Sequence, residues 1–278
     1  MASLRVSIVR RLAALLWIVT GCTRPASPVA DAPRLGQWVW TRADVARYAE
    51  SAGVRPDLEA GVFIGAVHCD AASRKLVAHA GLPLSASGAA VVTAVIRFED
   101  GLDRCRTATD SAHTFDASLD SVVSVLRSRG SGTRVAAVHL DFDAPQRALR
   151  AWAGSVRFLA THSLVRDSVW VTSLIAHLRE PEYGDLFRGV VRGHVLQVFD
   201  TGEVVTGTQV HEAVRLATRA RLPFRLGLGA FERSTRAGVT DHRAWFGAIA
   251  RFAPIAEYRG IWIFPAGRSW ISILGERS

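Results

Sequence analysis

The stretch Val138-His139-Leu140-Asp141-Phe142-Asp143-Ala144-Pro145 (VHLDFDAP, 138–145) decides how this 278-residue chain is read. Val138, Leu140 and Phe142 share one face and His139, Asp141 and Asp143 the other, the two-residue period of a β-strand. A carboxylate buried without a partner is costly. The polar face must therefore reach water at the C-terminal end of the strand, where a parallel (β/α)8 barrel opens its mouth. A second reading concerns Asp143 alone: Asp143-Ala144-Pro145-Gln146 has the pattern of a capping box that starts the next helix.

Seven more β-like runs surround this one: 37–41, 61–69, 89–98, 168–175, 194–199, 223–231 and 260–265, rich in Val, Ile and aromatic residues. Helical periods fill most gaps. Thr41 caps a helix over 42–52 with Asp44 at its third position. Leu149, Trp152, Val156 and Leu159 form a stripe over 144–161, and 118–129, 208–220 and 241–252 carry similar stripes. A shorter helix is expected in 180–191. Strand–helix alternation repeated eight times predicts a (β/α)8 barrel. The irregular unit is 70–88, where KLVAHAG reads equally well as an antiparallel strand, so the second helix is missing or replaced by a hairpin. An open doubly wound sheet is the competing fold, but no glycine-rich phosphate loop follows the first strand.

The same alternation, applied to other strands, collects polar residues at the mouth. Arg97 and Glu99 end the third strand and Trp40 and Arg42 the first. Gln197 and Asp200 close the sixth, Glu232 follows the seventh, and Trp262 lies on the eighth. Acids, arginines and aromatic faces together suit a carbohydrate or other polyol. Glycoside hydrolysis needs two carboxyl groups across the scissile bond. Asp141 with Glu232 or Asp200 is the candidate catalytic pair, Asp141 being the acid if its neighbour Asp143 raises its pKa. Arg42 and Arg97 would position substrate or hold the partner acid ionised. Trp40 and Trp262 would stack on sugar rings, and Glu99, Asp143 and Gln197 would bind hydroxyls. The structural alternatives are Asp143 as a helix cap, an Arg–Asp network, and core tryptophans. A catalytically silent barrel that binds glycan or a protein partner at the envelope is the competing function. The nine histidines show no metal-ligand spacing, and no cofactor motif or serine-nucleophile elbow occurs.

The chain carries a formal charge of +9, with Lys75 its single lysine. Its arginines are scattered, without the runs of a nucleic-acid-binding arm. Arg5, Arg10 and Arg11 precede the apolar run Leu12–Val19, which is too short to span a bilayer and reads as a signal peptide over 1–21. Val19-Thr20-Gly21-Cys22 resembles the lipobox of bacterial lipoproteins, in which Cys22 is lipidated and becomes the mature N-terminus. Thr23 after it, rather than aspartate, points to the outer membrane facing the periplasm. Residues 22–36, rich in proline and alanine, are expected to be a tether, and 37–278 the barrel. An exported protein permits a disulfide between Cys69 and Cys105, with two separate thiols as the alternative.

VHLDFDAP, VTSL, VLQVFD, PFRLGLGAF and GIWIFP together resemble the bacterial family designated domain of unknown function 3142, from about Trp38 to Pro265. The resemblance implies a barrel related to glycoside hydrolases. Two positions depart from it: Leu228-Gly229-Ala230-Phe231 replaces a Leu-Pro-Thr-Tyr-like end of the seventh strand, and Pro265 stands where an arginine is expected. The aspartate pair is also similar to the end of the D-x-x-D-x-D-x-E signature of family 18 chitinases. Asp141 and Asp143 match its last two aspartates. Pro145 occupies the glutamate position, and Ala137 and Val138 stand where the first aspartate belongs. The proton donor implied by that signature is absent.

Overall fold

A computed structural model describes residues 33–70, 72–73, 76–99, 102, 133–161, 168–200, 205–235 and 238–275. The expected signal peptide, Cys22, the stripe at 118–129 and Cys105 lie outside them. Cys69 is disulfide-bonded.

Eight parallel strands close on themselves. They are β1 (Arg34–Val39), β2 (Glu59–Cys69), β4 (Val91–Phe98), β5 (Arg134–Asp141), β6 (Val169–Leu174), β7 (Gly193–Gln197), β8 (Phe224–Gly229) and β11 (Tyr258–Phe264), with β11 paired to β1 and β1 to β2. The expected barrel is present and each expected strand occupies a place in it. One boundary moves: β1 begins at Arg34, so the last residues assigned to the tether belong to the sheet. The irregular second unit is a hairpin. β3 (Leu76–Ala80) runs antiparallel to the upper half of β2, and a 3-10 turn over Leu84–Ser87 leads to β4. β3 takes the edge of β2 that β1 leaves free above Val62, because β1 ends at Val39 opposite it. A second hairpin, β9 (Glu232–Thr235) and β10 (Gly238–Asp241), stands beyond β8.

The helices follow the expected periods. α1 (Arg42–Val54) starts at a capping box in which Thr41 and Asp44 satisfy each other's backbone N–H. The second oxygen of Asp44 accepts from Gly267 N at 2.9 Å, tying the first and last loops of the mouth together. α2 (Leu149–Ala160) buries Leu149, Trp152, Val156 and Leu159, the stripe read from sequence. Among the described residues, α3 (Ile175–Arg179), α4 (Tyr183–Phe187), α5 (Gly207–Ala220), α6 (Ile249–Phe252) and α7 (Ile271–Gly275) add to the shell, α6 following a 3-10 segment over His242–Ala248.

Strand parity divides the core into two clusters. Val138 and Leu140 of β5 and Phe142 just beyond it, with Val92, Ala94, Ile96 and Phe98 of β4, pack outward against the helices. Trp38, Val95, Ala137, Trp170, Val195, Phe199, Phe231 and Trp262 fill the barrel axis. Two glycines make room for the central indole: a Cβ at Gly61 or Gly36 would lie 2.4 or 2.8 Å from the Trp262 ring. The interior is thus a packed aromatic plug, as close packing of a barrel lumen requires.

Candidate functional site

The inward residues of β4, β5 and β6 build one polar chain up the axis. The Trp38 Nε1–H donates to His139 Nδ1 at 3.3 Å, so the proton of the neutral ring sits on Nε2. His139 Nε2–H then donates to Thr172 Oγ1 at 2.9 Å, and the threonine hydroxyl donates to Asp141 Oδ1 at 2.5 Å. Burial pushes the His139 pKa down to about 4, which keeps the ring neutral at ordinary pH. The other oxygen of Asp141 accepts from Arg97 Nη1 at 2.8 Å. Arg97 Nη2 reaches Asp143 Oδ2, also at 2.8 Å. One guanidinium therefore clamps both aspartates of the opening motif. Burial works against the charge on Arg97, but the two carboxylates more than offset it and hold its pKa above the usual value.

Above this chain lies a cleft of about 500 Å³. Its floor and one wall are aromatic: Trp38, Trp40, Phe199 and Phe264, with Trp40 stacked on Phe63 at 4.6 Å. Arg97, Asp141 and Asp143 line the other side. Gln197, Asp200 and Arg233 complete the rim. Asp200 accepts from Arg233 Nη2 at 2.8 Å and faces His242 Nε2 at 3.3 Å. Asp200 itself holds a left-handed backbone, φ 55°, at the exit of β7.

Among the described residues, two polar atoms of the cleft are buried without a hydrogen-bond partner: the indole N–H of Trp40 and Oδ1 of Asp143. Buried groups in native proteins are almost always satisfied, so an orphaned donor and an orphaned acceptor in one cleft are informative. Burial raises the Asp143 pKa above the ordinary carboxylate value. Asp141 adds to that rise, and Arg97 offsets only part of it. His177 fixes the loop carrying Asp143: its Nε2–H donates to Ala144 O at 2.6 Å while Nδ1 accepts from Leu174 N.

Several expectations are corrected. Asp143 is no helix cap. The following 3-10 turn (Gln146–Ala148) has Pro145 at its cap position with no side-chain bond, and Gln146 reaches Ala176 O and Glu180 instead. Arg97 has drawn Asp143 into the mouth. Arg42 does not point into the barrel, because α1 begins at that residue and ends the strand alternation, leaving it exposed. Glu99 is exposed beyond the end of β4 and does not line the cleft. Glu232 opens the outer hairpin and pairs with Arg243, away from the cleft. Trp262 is 2% exposed and belongs to the plug, so it cannot stack on a ligand in the mouth. Trp40, Arg97, Asp141, Asp143, Gln197 and Asp200 do converge on the cleft. Thr172 was missed although parity predicts it, since Val169 and Val171 are the outward residues of β6. Arg233 and His242 come from the hairpin region, where no period exists to read. Among the described residues no group of His, Cys, Asp or Glu is placed to hold a metal ion.

The fold defines a class: the chain is a (β/α)8 barrel, a fold it shares with solved glycoside hydrolase family 18 structures. The chain is similar to the family 18 chitinase ChiB of Flavobacterium johnsoniae, with a TM-score of 0.60 and 9% identity over 88% of this chain and 94% of that one. It is similar to the spore cortex-lytic enzyme SleL of Bacillus megaterium QM B1551, with a TM-score of 0.59 and 12% identity over 89% and 74%. A family 18 chitinase of Cycas revoluta in complex with (GlcNAc)3 aligns with a TM-score of 0.54 and 12% identity over 87% and 98%. At these identities the likeness is one of fold. No family model matches the chain, and no curated protein matches it.

Proposed function

We propose that the barrel mouth binds a saccharide chain and cleaves a glycosidic bond in it, with Asp143 as the proton donor. The observation that carries the reading is the pair of orphaned polar atoms in the cleft, Trp40 Nε1–H and Asp143 Oδ1. A sugar hydroxyl accepts from the first, and the second carries the acid proton toward the glycosidic oxygen, while the sugar ring stacks on the aromatic wall. A carboxyl group whose pKa is raised by burial is suited to give a proton to a leaving oxygen. Asp200, across the β7 end of the rim, is the partner carboxylate for water activation or attack. Asp141, with both oxygens occupied by Arg97 and Thr172, is a positioning residue. The acid role thus passes from Asp141 to Asp143. Similarity in fold to chitinases and a spore cortex-lytic enzyme supports a glycan as the substrate class. The lipobox-like Cys22 and the tether after it support attachment to the cell envelope, and the resemblance to domain of unknown function 3142 supports a glycoside-hydrolase-like barrel.

A second reading, a barrel that binds glycan without cleaving it, is favoured by Pro145 at the glutamate position of the chitinase-like motif and by the Arg97 clamp. One experiment separates them. The intact chain is screened on peptidoglycan, chitin oligosaccharides and a panel of β-glucans for release of reducing ends and, separately, for binding. Hydrolysis that falls about 100-fold or more in Asp143→Asn, with binding retained, supports cleavage. Binding without release of reducing ends on any substrate supports the silent barrel. Binding that survives Trp40→Ala and Phe264→Ala unchanged removes the mouth from both readings.

A further inference from the structure

Among the described residues two guanidinium groups line the mouth cleft, Arg97 and Arg233, and they are used differently. Arg97 is 30% exposed and holds two carboxylates at once, Asp141 through Nη1 and Asp143 through Nη2, each at 2.8 Å. Arg233 is 55% exposed and holds one, Asp200, through Nη2 at 2.8 Å. Among the described residues no other hydrogen bond or ion pair engages its guanidinium.

The local fold aims this side chain. Glu232 and Arg233 are successive residues of β9, so they point to opposite sides of the hairpin. Glu232 turns to Arg243, and Arg233 turns to the rim of the cleft. The guanidinium carbon of Arg233 lies 5.6 Å from the centre of the Phe231 ring, a contact that steadies the head group without using its N–H donors. Asp200 does not depend on Arg233 alone. Its other oxygen faces Nε2 of His242 at 3.3 Å, and that ring is 4% exposed and packs edge-on to Phe231 at 4.9 Å. Burial lowers the His242 pKa although Asp200 opposes the fall, so at pH 7 a neutral ring donates its Nε2–H to the carboxylate. Asp200 is thus anchored from the buried side, and the unused donors of Arg233 remain for a ligand.

We propose that Arg233 is the specificity-determining residue of the mouth, and that the saccharide it selects carries a carboxylate. The acid group docks on the second edge of the Arg233 guanidinium, beside Asp200, as Asp143 docks beside Asp141 on Arg97. A half-exposed guanidinium gains little from a neutral hydroxyl, which only replaces water, whereas a carboxylate makes charge-assisted bonds roughly twice as strong. The proposal rests on the reading of the mouth as a saccharide cleft, and holds whether the chain is cut or only bound.

Isothermal titration calorimetry of the intact chain at pH 7 and low salt tests it with two matched pairs of probes. One pair is tetragalacturonate and its methyl ester, with the carboxylate at C6. The other is an amino-sugar disaccharide with a lactyl ether carboxylate, and its amide. In at least one pair the acid should bind about 10-fold more tightly than its neutral partner, with the margin shrinking as salt is added. The pair that discriminates identifies the source of the acid group. Arg233→Gln should abolish the margin and leave the neutral affinity unchanged, which also reports an intact cleft. Arg233→Lys should keep part of the margin. Asp200→Asn should widen it, because the competing carboxylate is gone and asparagine tolerates the left-handed backbone there, φ 55°. Equal affinities within both pairs, or a margin that survives Arg233→Gln, overturns the proposal and leaves the saccharide cleft standing. Failure of every probe to bind removes both.

Discussion

Replacing Arg97 by methionine should unmask how much of the mouth is held by one side chain, and the loss should depend on pH. Methionine keeps the aliphatic volume and removes the charge that pairs with Asp141 and Asp143 at 2.8 Å each. Removing one partner of a buried ion pair costs about 3–5 kcal/mol. Asp141 is 6% exposed but keeps its Thr172 bond, while Arg97 and Asp143 are about 30% exposed, so water softens the loss. About 2–4 kcal/mol remains at pH 7, or a fall in Tm of roughly 5–15 °C for a barrel of this length. The sign with pH follows from linkage. Asp143 has a folded pKa above its unfolded value, so its protonated form favours the fold, and that contribution is complete below about pH 4 and lost as pH rises through the folded pKa. Without Arg97 the folded pKa rises further. The difference between variant and parent should therefore shrink on going from pH 7 to pH 4, as the stranded Asp143 carboxylate takes up a proton. Urea unfolding of both proteins at half-unit steps measures it, with Arg97→Met/Asp141→Asn closing a double-mutant cycle. A destabilisation of equal size at pH 7 and pH 4 would refute the clamp.

Other consequences are simpler to check. Asp143→Asn should be at least as stable as the parent at pH 7, because it removes a carboxylate that burial penalises, and chemical denaturation reads this directly. His139 should stay neutral down to about pH 5 in an NMR titration of its ring, and its depressed pKa should cost the fold stability as pH falls from about 6.5 toward 4. Gly61→Ala should destabilise by about 1–3 kcal/mol, since the new methyl would sit 2.4 Å from the Trp262 ring, where an overpacked core has no room to relax. Thr41→Ala should cost about 1 kcal/mol or slightly more through loss of the α1 cap, read from the thermal midpoint.

The barrel was legible because its signal is periodic. Alternation along VHLDFDAP sends Val138, Leu140 and Phe142 to the helices and Asp141 to the mouth, and α2 follows from a stripe of four residues. The hairpin at β3 was legible as an irregularity, although nothing in 70–88 says that it would take the free upper edge of β2. Parity failed wherever a strand had ended. Arg42 and Glu99 lie just past their strands, where φ and ψ no longer preserve alternation, and Glu232 belongs to a hairpin with a register of its own. Parity also cannot give height. Trp262 does face inward, as read, but it sits in the plug and not at the rim, because Gly36 and Gly61 on neighbouring strands admit it there. The capping-box reading of Asp143 failed for another reason. A local motif offers one backbone bond, whereas Arg97, 46 residues away in sequence, offers a charged one.

The tryptophan layer across the lumen separates the mouth from the interior beneath it. Trp38 and Trp262, both buried, pack 5.7 Å apart across the axis. Among the described residues, the polar thread through this layer is His139 and Thr172, and it ends on Asp141. A change of charge at His139 is thus felt at Asp141 through two hydrogen bonds in series.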